Sequence, residues 1–225
     1  MILEEVGILC IANNRSRYYV TSLLENDLRP NFVLLLQNPE DIITPGQRRF
    51  DLGSDFVQLL EEAGLDFEII PSIKVNSCEV IEALKTRPEQ YFIYSGPGGV
   101  ILRKEILNIG KKFLHVHPGR VPDFRGSTTV YYQLLSEGTC SASAIFLSES
   151  IDTGPLLGSG TFKVPKGVDL DYEFDPEIRS RVLINVIKEY ARSGCFTQIE
   201  QCADSGETYF IMHPVLRHIA KLMIQ

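Results

Sequence analysis

Strand-like runs at Val6–Ile11, Phe32–Leu36, Phe67–Ile70 and Tyr91–Tyr94, the first two apolar throughout, alternate with segments long enough for helices. This alternation constrains the fold more than any other feature of the chain. Runs that stay apolar at consecutive positions suit strands buried on both faces, and helical connections between them make neighbouring strands parallel. Right-handed crossovers follow from the twist of such strands.

Helices are expected from about Arg17 to Asn26, from Asp51 or Ser54 to Glu62, and from an Asn76/Glu79 capping box to Lys85. A loop covers Asn38–Phe50, and a short helix is expected over Leu102–Leu107. Ser127 or Thr128 can cap a helix to Ser136 that Gly138 ends. Ser141–Leu147 and Leu156–Val164 read as strands with mixed pairing. Asp175-Pro176 suits the start of a helix to Ser193, Phe196–Gln201 and Thr208–Met212 suggest a hairpin around Asp204-Ser205-Gly206, and a last apolar helix runs from Pro214 to Ile224. The expected fold is α/β: a Rossmann-like, mostly parallel twisted sheet with helices on both faces and a small C-terminal helix-hairpin-helix extension. Residues 1–165 form the core, and 166–225 pack on it.

With 225 residues, 44% of them hydrophobic, the chain can bury a sizeable core. No apolar run reaches the length of a membrane span, and the acidic N-terminus is unlike a signal peptide. Scattered cysteines without CxxC spacing fit a reducing cytoplasm. A net charge of −7 disfavours a nucleic-acid surface. The expectations are a cytoplasmic protein with no membrane and no nucleic-acid partner. The last helix is apolar on more than one face, so it packs on the body or on a second subunit of a homodimer.

Chemistry concentrates in Phe113–Gly126, FLHVHPGRVPDFRG, and in Ser150–Pro155, SIDTGP. His115 and His117 stand at i and i+2 of a strand, so both imidazoles leave the sheet on one side. They sit at a strand's carboxyl end, where α/β sheets hold ligands. Two such histidines with Asp152 suit zinc ligation, an acid/base pair, or a pair of which one matters. No further His or Cys clusters near them, and no metal is expected. Asp152 alone would also suit a turn satisfying its own backbone. The loop after the first strand, Ala12–Ser16, lacks the glycines of a dinucleotide cradle.

Taken together, HVHPGRVPDFRG and the Asp of IDTGP, 35 residues after His117, resemble the folate-dependent formyltransferase family. That family's pattern is roughly Asn-x-His-Pro-Ser-x-x-Pro-x-x-x-Gly, then Asp-Thr-Gly-Pro; its His, Asp and last Gly fall on His117, Asp152 and Gly126. Gly98–Leu107 looks like the family's folate-contacting loop and helix. The resemblance covers about Val6 to Val164. It implies N10-formyltetrahydrofolate as co-substrate, contacted by Gly98, Gly99, Val100, Ile101, Leu102 and Ile151, and a primary amine as acceptor. His117, Asp152 and His115 become the catalytic candidates. The family's Asn falls on His115, which can also donate to an oxyanion. Its Ser falls on Gly119, read as a loop change only.

A methionyl-tRNA formyltransferase would call for a further C-terminal domain and a basic face. A glycinamide ribonucleotide formyltransferase would call for a glycine in the first loop. What remains resembles short sugar N-formyltransferases acting on nucleotide-linked amino sugars, including the pseudaminic-acid-pathway kind. Arg120 and Arg125 are candidates for a phosphate, and Phe124 and Tyr131 for stacking on a base or sugar. A helix face against the sheet is the alternative for the tyrosines, and exposed loop positions for the arginines. The other functional readings are a formyltetrahydrofolate hydrolase, a non-catalytic folate- or nucleotide-binding module, and a zinc hydrolase.

Overall fold

The computed structural model describes residues 1–38, 52–202 and 205–225. Most of the expected loop over 38–50, Asp51 and Asp204 of the expected turn lie outside what it describes, while Ser54, the other expected cap, falls inside the helix that starts at Leu52. The backbone packs as two compact units, Met1–Leu114 and His115–Gln225.

The first unit holds β1 (Ile2–Ile11), α1 (Asn14–Glu25), β2 (Arg29–Leu36), α2 (Leu52–Glu62), β3 (Phe67–Ile70), α3 (Cys78–Thr86), β4 (Tyr91–Ser95) and α4 (Lys104–Leu107). It also holds the start of β5 (Lys112–His117). β1 pairs parallel with β2 on one side and with β4 on the other. Val6, Ile8, Leu9 and Cys10 are buried. That is the pattern of a central strand covered on both faces. β1 and β2 begin four and three residues earlier than the apolar runs do, because Ile2↔Arg29 and Leu3↔Pro30 extend the ladder beyond them.

α1 also starts early, since the Asn13 side chain accepts from Ser16 N at 2.8 Å and caps it. The cap of α3 is Ser77, not Asn76. Asn76 instead donates to Ile101 O (2.9 Å) and accepts from Arg103 N (2.8 Å), which fixes the backbone after the glycine loop. At the carboxyl ends of β1 and β4, where the strand order reverses, Arg15 donates to Ser95 Oγ (2.9 Å) and Gly96 O (2.5 Å). Such a switch point is the usual ligand crevice of an open α/β sheet.

The second unit takes the end of β5 and then β6 (Phe124–Gly126), α5 (Thr129–Glu137), β7 (Thr139–Phe146), β8 (Leu156–Lys163), α6 (Asp175–Ser193), β9 (Glu207–Tyr209) and α7 (Pro214–Leu222). β7 and β8 are antiparallel, so the sheet is mixed, with order β3-β2-β1-β4-β5-β7-β8. The mostly parallel α/β fold with helices around the sheet is as expected. Gly138 and Gly194 end α5 and α6 in the left-handed conformation at φ +68° and +75°. Ahead of α6, a π turn over Leu170–Phe174 moves the cap back from Asp175 to Asp169, whose carboxylate accepts from Asp171 N and Tyr172 N at 2.8 and 2.9 Å.

Among the described residues, the two expected C-terminal hairpin strands do not pair with each other. β9 pairs parallel with β6, and Ile199 bridges antiparallel to Leu156. Alternation marks a short segment as strand-like without naming its partner. Phe196 is held by its ring instead, stacked on Tyr190 at 4.4 Å and edge-on to Phe146 at 5.3 Å. Among the described residues no helix is long and apolar enough to cross a membrane.

Candidate functional site

The end of β5 delivers the two histidines as their spacing requires. His117 is 2% exposed, and His115 is half-buried. A ligand-capable atom from each of His115, His117 and Asp152 lies within 4.8 Å of the other two. Two stretches far apart in the chain therefore meet at one point.

His117 is clamped at both ring nitrogens. Nδ1 lies 3.2 Å from Asp152 Oδ2, and Nε2 lies 2.7 Å from Phe124 O and 3.3 Å from Thr129 Oγ1. A carbonyl can only accept, so Nε2 carries a proton toward Phe124. Nδ1 then faces the carboxylate, at a separation suited to sharing one further proton. Chemically this is a buried pair able to take up and return a proton.

Asp152 is placed by its backbone as well as by its partner. It adopts the left-handed region at φ +54°, which Asp and Asn tolerate better than most residues. Its Oδ2 also accepts from Gly126 N at 2.9 Å, across 26 residues. The carboxylate thus serves a long-range contact and not merely its own turn. Gly126 has φ +98°, and a side chain there would strike the Tyr209 backbone, so glycine is required at this crossing.

The loop between β5 and β6 is held from β7 and α5. Buried Ser143 donates to Gly119 O (2.7 Å) and accepts from Val121 N (3.2 Å), while Thr129 donates to Pro118 O. Gly119 is more than a loop change. A Cβ there would lie 2.7 Å from Phe124 O and 2.9 Å from His117 Nε2, so its absence makes room for the hydrogen bond that holds the ring.

The other expected ligands have structural engagements. Arg120 donates to Asp123 (2.9 Å) and to both oxygens of Glu137 (3.0 and 2.7 Å). That hydrogen bonding holds the Glu137 carboxyl below its usual range. Arg125 is buried and donates to Ser205 O (3.0 Å), Gln201 Oε1 (3.0 Å) and Cys202 O (3.2 Å). Its guanidinium is an internal brace and is not presented to a phosphate. Phe124 is buried and stacks on Tyr209 at 5.4 Å. Tyr131, also buried, donates to Asp171 at 2.6 Å; burial first, then that bond, raises its hydroxyl pKa. Both rings are engaged within the protein, Phe124 against Tyr209 and Tyr131 beneath the Arg217 guanidinium.

Ile151 is 46% exposed beside Asp152. In the first unit, Gly98, Gly99, Val100 and Ile101 are exposed on the loop after β4, and Leu102 is buried.

Gln201 escaped the sequence reading. Its amide donates to Asp152 O (3.0 Å) and Gly154 O (2.6 Å) while its Oε1 accepts from Arg125, tying the IDTGP turn to the β6 strand. Nothing in its neighbourhood marks it, because the bond spans 49 residues. Thr129 and Ser143 were missed for the same reason, although Thr129 directly follows the expected cap positions.

No family model matches the chain. In sequence it is 33% identical over 136 residues to a methionyl-tRNA formyltransferase of Finegoldia magna, covering 58% of this chain and 43% of that one. It is likewise 33% identical over 92 residues to the enzyme of the same description from Helicobacter acinonychis, covering 40% and 28%. The chain therefore spans less than half the length of these curated relatives. Among solved structures, a sugar N-formyltransferase from a Shewanella species superposes with a TM-score of 0.62 at 12% identity, over 96% of this chain and 86% of that one. HypX from Aquifex aeolicus in complex with tetrahydrofolic acid gives 0.61 at 15% identity, over 94% and 30%. The structural likeness establishes the shared fold. Relatives and fold neighbours alike include formyltransferases, in keeping with the folate-dependent formyltransferase family whose motif the sequence resembles.

Proposed function

We propose that the chain transfers a formyl group from N10-formyltetrahydrofolate to a primary amine, and that the amine belongs to a nucleotide-linked amino sugar, with the pseudaminic acid pathway as one setting. The observation that carries the reading is the 3.2 Å approach of His117 Nδ1 to Asp152 Oδ2 inside the His115 cluster. The neutral amine attacks the formyl carbon, a C–N bond forms, and the carbonyl oxygen becomes an oxyanion. The Asp152–His117 pair takes the proton that the amine sheds and returns it to N10 as the C–N10 bond breaks. His117 holds Nε2–H on Phe124 O, so its part is the shared proton, and His115 on the same face is the candidate oxyanion donor. The exposed Gly98–Ile101 loop after β4 is the proposed folate-contacting segment of the first unit.

The sugar acceptor rests on the fold neighbours and on the acidic charge of the chain, which disfavours a tRNA surface. Mass spectrometry decides it. The chain is incubated with N10-formyltetrahydrofolate and, separately, with nucleotide-linked amino sugars, glycinamide ribonucleotide, methionyl-tRNA or no amine. One added formyl group on an amino sugar supports the reading. Formylation of methionyl-tRNA instead overturns the acceptor, and formate release without any amine overturns the transferase.

A further inference from the structure

We propose that α7 is a self-association surface, through which two copies of this chain pair about a two-fold axis. An ordinary surface helix buries its apolar stripe and turns its charges to water. In α7 the arrangement is reversed, and the charged side faces the protein. Arg217 donates to both oxygens of Asp171 at 3.2 and 3.3 Å, and Lys221 donates to Asp171 Oδ2 at 2.8 Å. The Arg217 guanidinium also lies 4.8 Å from the centre of the Tyr131 ring. Ala220 and, just past the helix end, Ile224 are buried. Positions 217, 220, 221 and 224 have the spacing of one helical face.

The opposite face carries Val215, Leu216, Ile219 and Leu222, with Met223 at the cap, each between 43% and 59% exposed. Phe210 and Ile211, in the segment leading into the helix, are 80% and 78% exposed. Together these side chains leave roughly 700 Å² of apolar surface in water. That exceeds the largest apolar patch of a typical soluble monomer and approaches the ~800 Å² that each partner buries in a standard interface. A second copy is the occupant that suits this stripe. An isologous interface sets the same patch on both partners, so the patch must complement itself. None of the outward side chains is charged, so stripe meets stripe without like charges, and the i, i+4, i+7 seam of Val215, Ile219 and Leu222 suits helix-on-helix packing. A lipid surface suits it less. Interfacial helices keep Lys and Arg on the polar face for anionic headgroups, whereas Arg217 and Lys221 are committed to Asp171 and the chain carries a net charge of −7.

The inference is independent of formyl transfer, and its test uses neither folate nor amine. The full chain is followed by sedimentation velocity and light scattering across the micromolar range. A dimer that forms with rising concentration is expected, together with a thermal midpoint that climbs as the protein is concentrated. Ile219→Glu, and separately Leu216→Glu with Met223→Glu, set unpaired charge in the buried stripe. Each raises the dissociation constant by at least about 100-fold and removes the concentration dependence of the midpoint. All three side chains are exposed in the single copy, so circular dichroism of the variants matches wild type. Should one variant fail to fold, the other decides. Ile73→Glu, which charges an exposed apolar residue of the first unit, dimerises as wild type. A wild-type chain that stays monomeric throughout overturns the proposal, as does a dimer that survives both folded variants or is equally lost in Ile73→Glu. Flotation with vesicles of phosphatidylcholine and about 30% phosphatidylserine tests the other occupant. A monomer that binds these vesicles and loses them in Ile219→Glu assigns the stripe to lipid and overturns the pairing.

Discussion

At the scale of single residues, Asp152 joins an unusual backbone to a reactive group. Its φ of +54° means that a truncation to Ala tests two things at once. Ala at a left-handed position costs about 1–2 kcal/mol before any chemistry is lost. Asn tolerates that conformation and keeps the side chain's size, but it cannot carry a proton as a carboxylate can. Asp152→Asn is therefore expected to lower formyl-transfer kcat by roughly 100- to 1,000-fold, the scale of losing one well-placed polar group, with its thermal midpoint near wild type. Steady-state kinetics beside a thermal melt separate the two effects, and an Asn variant that turns over at the wild-type rate removes Asp152 from the chemistry. Gly119→Ala reads the opposite balance. Its Cβ would press on Phe124 O and His117 Nε2, so a loss of about 1–3 kcal/mol in urea unfolding is expected. An unchanged midpoint would show that the ring does not depend on that space.

Among the elements, what the sequence reveals divides by range. In the first unit β1, β2 and β4 are legible because each carries a run buried on both faces, and His115 and His117 share a face because strand geometry leaves no other arrangement. The meeting of His117 with Asp152 was legible only through the resemblance of two motifs, since no local pattern ties positions so far apart. Two short C-terminal stretches were misread as each other's partners, because β9 lies on β6 and Ile199 on Leu156. Arg120 and Arg125 looked like loop cations, yet their partners lie as far off as Glu137 and Ser205, where sequence neighbourhood gives no sign. Gln201 belongs with these. It binds two carbonyls of the IDTGP turn and one guanidinium, so Gln201→Leu leaves three polar groups without that bond. The expected cost is about 1–3 kcal/mol of stability together with a fall in turnover as Asp152 loses its position. Chemical denaturation and kcat measured together test this, and a variant unchanged in both would show the turn to be held without it.

On the scale of the whole molecule, the cysteines report how tightly each part is closed. Cys10 in β1 and Cys140 in β7 are buried, whereas Cys78, Cys195 and Cys202 are exposed. Burial pushes the Cys10 and Cys140 thiols up from 9.0 to about 12; for Cys10, a hydrogen bond with Ser16 and the Arg15 charge offset part of it. A thiol whose folded pKa is raised favours the native state fully below its unfolded pKa. That contribution is lost as pH climbs from about 9 toward about 12, because only the unfolded chain can release the proton easily. Two outcomes follow from the same desolvation. A thiol reagent at neutral pH labels Cys78, Cys195 and Cys202 quickly and reaches Cys10 and Cys140 only when the surrounding sheet opens. Stability measured by urea unfolding declines across the alkaline window, and a Cys10→Ala, Cys140→Ala chain declines less steeply, even if it starts from a lower value for the packing it has lost. Mass spectrometry of the labelled chain counts the modified sites directly. Labelling of Cys10 at the rate of Cys195 would mean that β1, the strand flanked by β2 and β4, is not closed in solution.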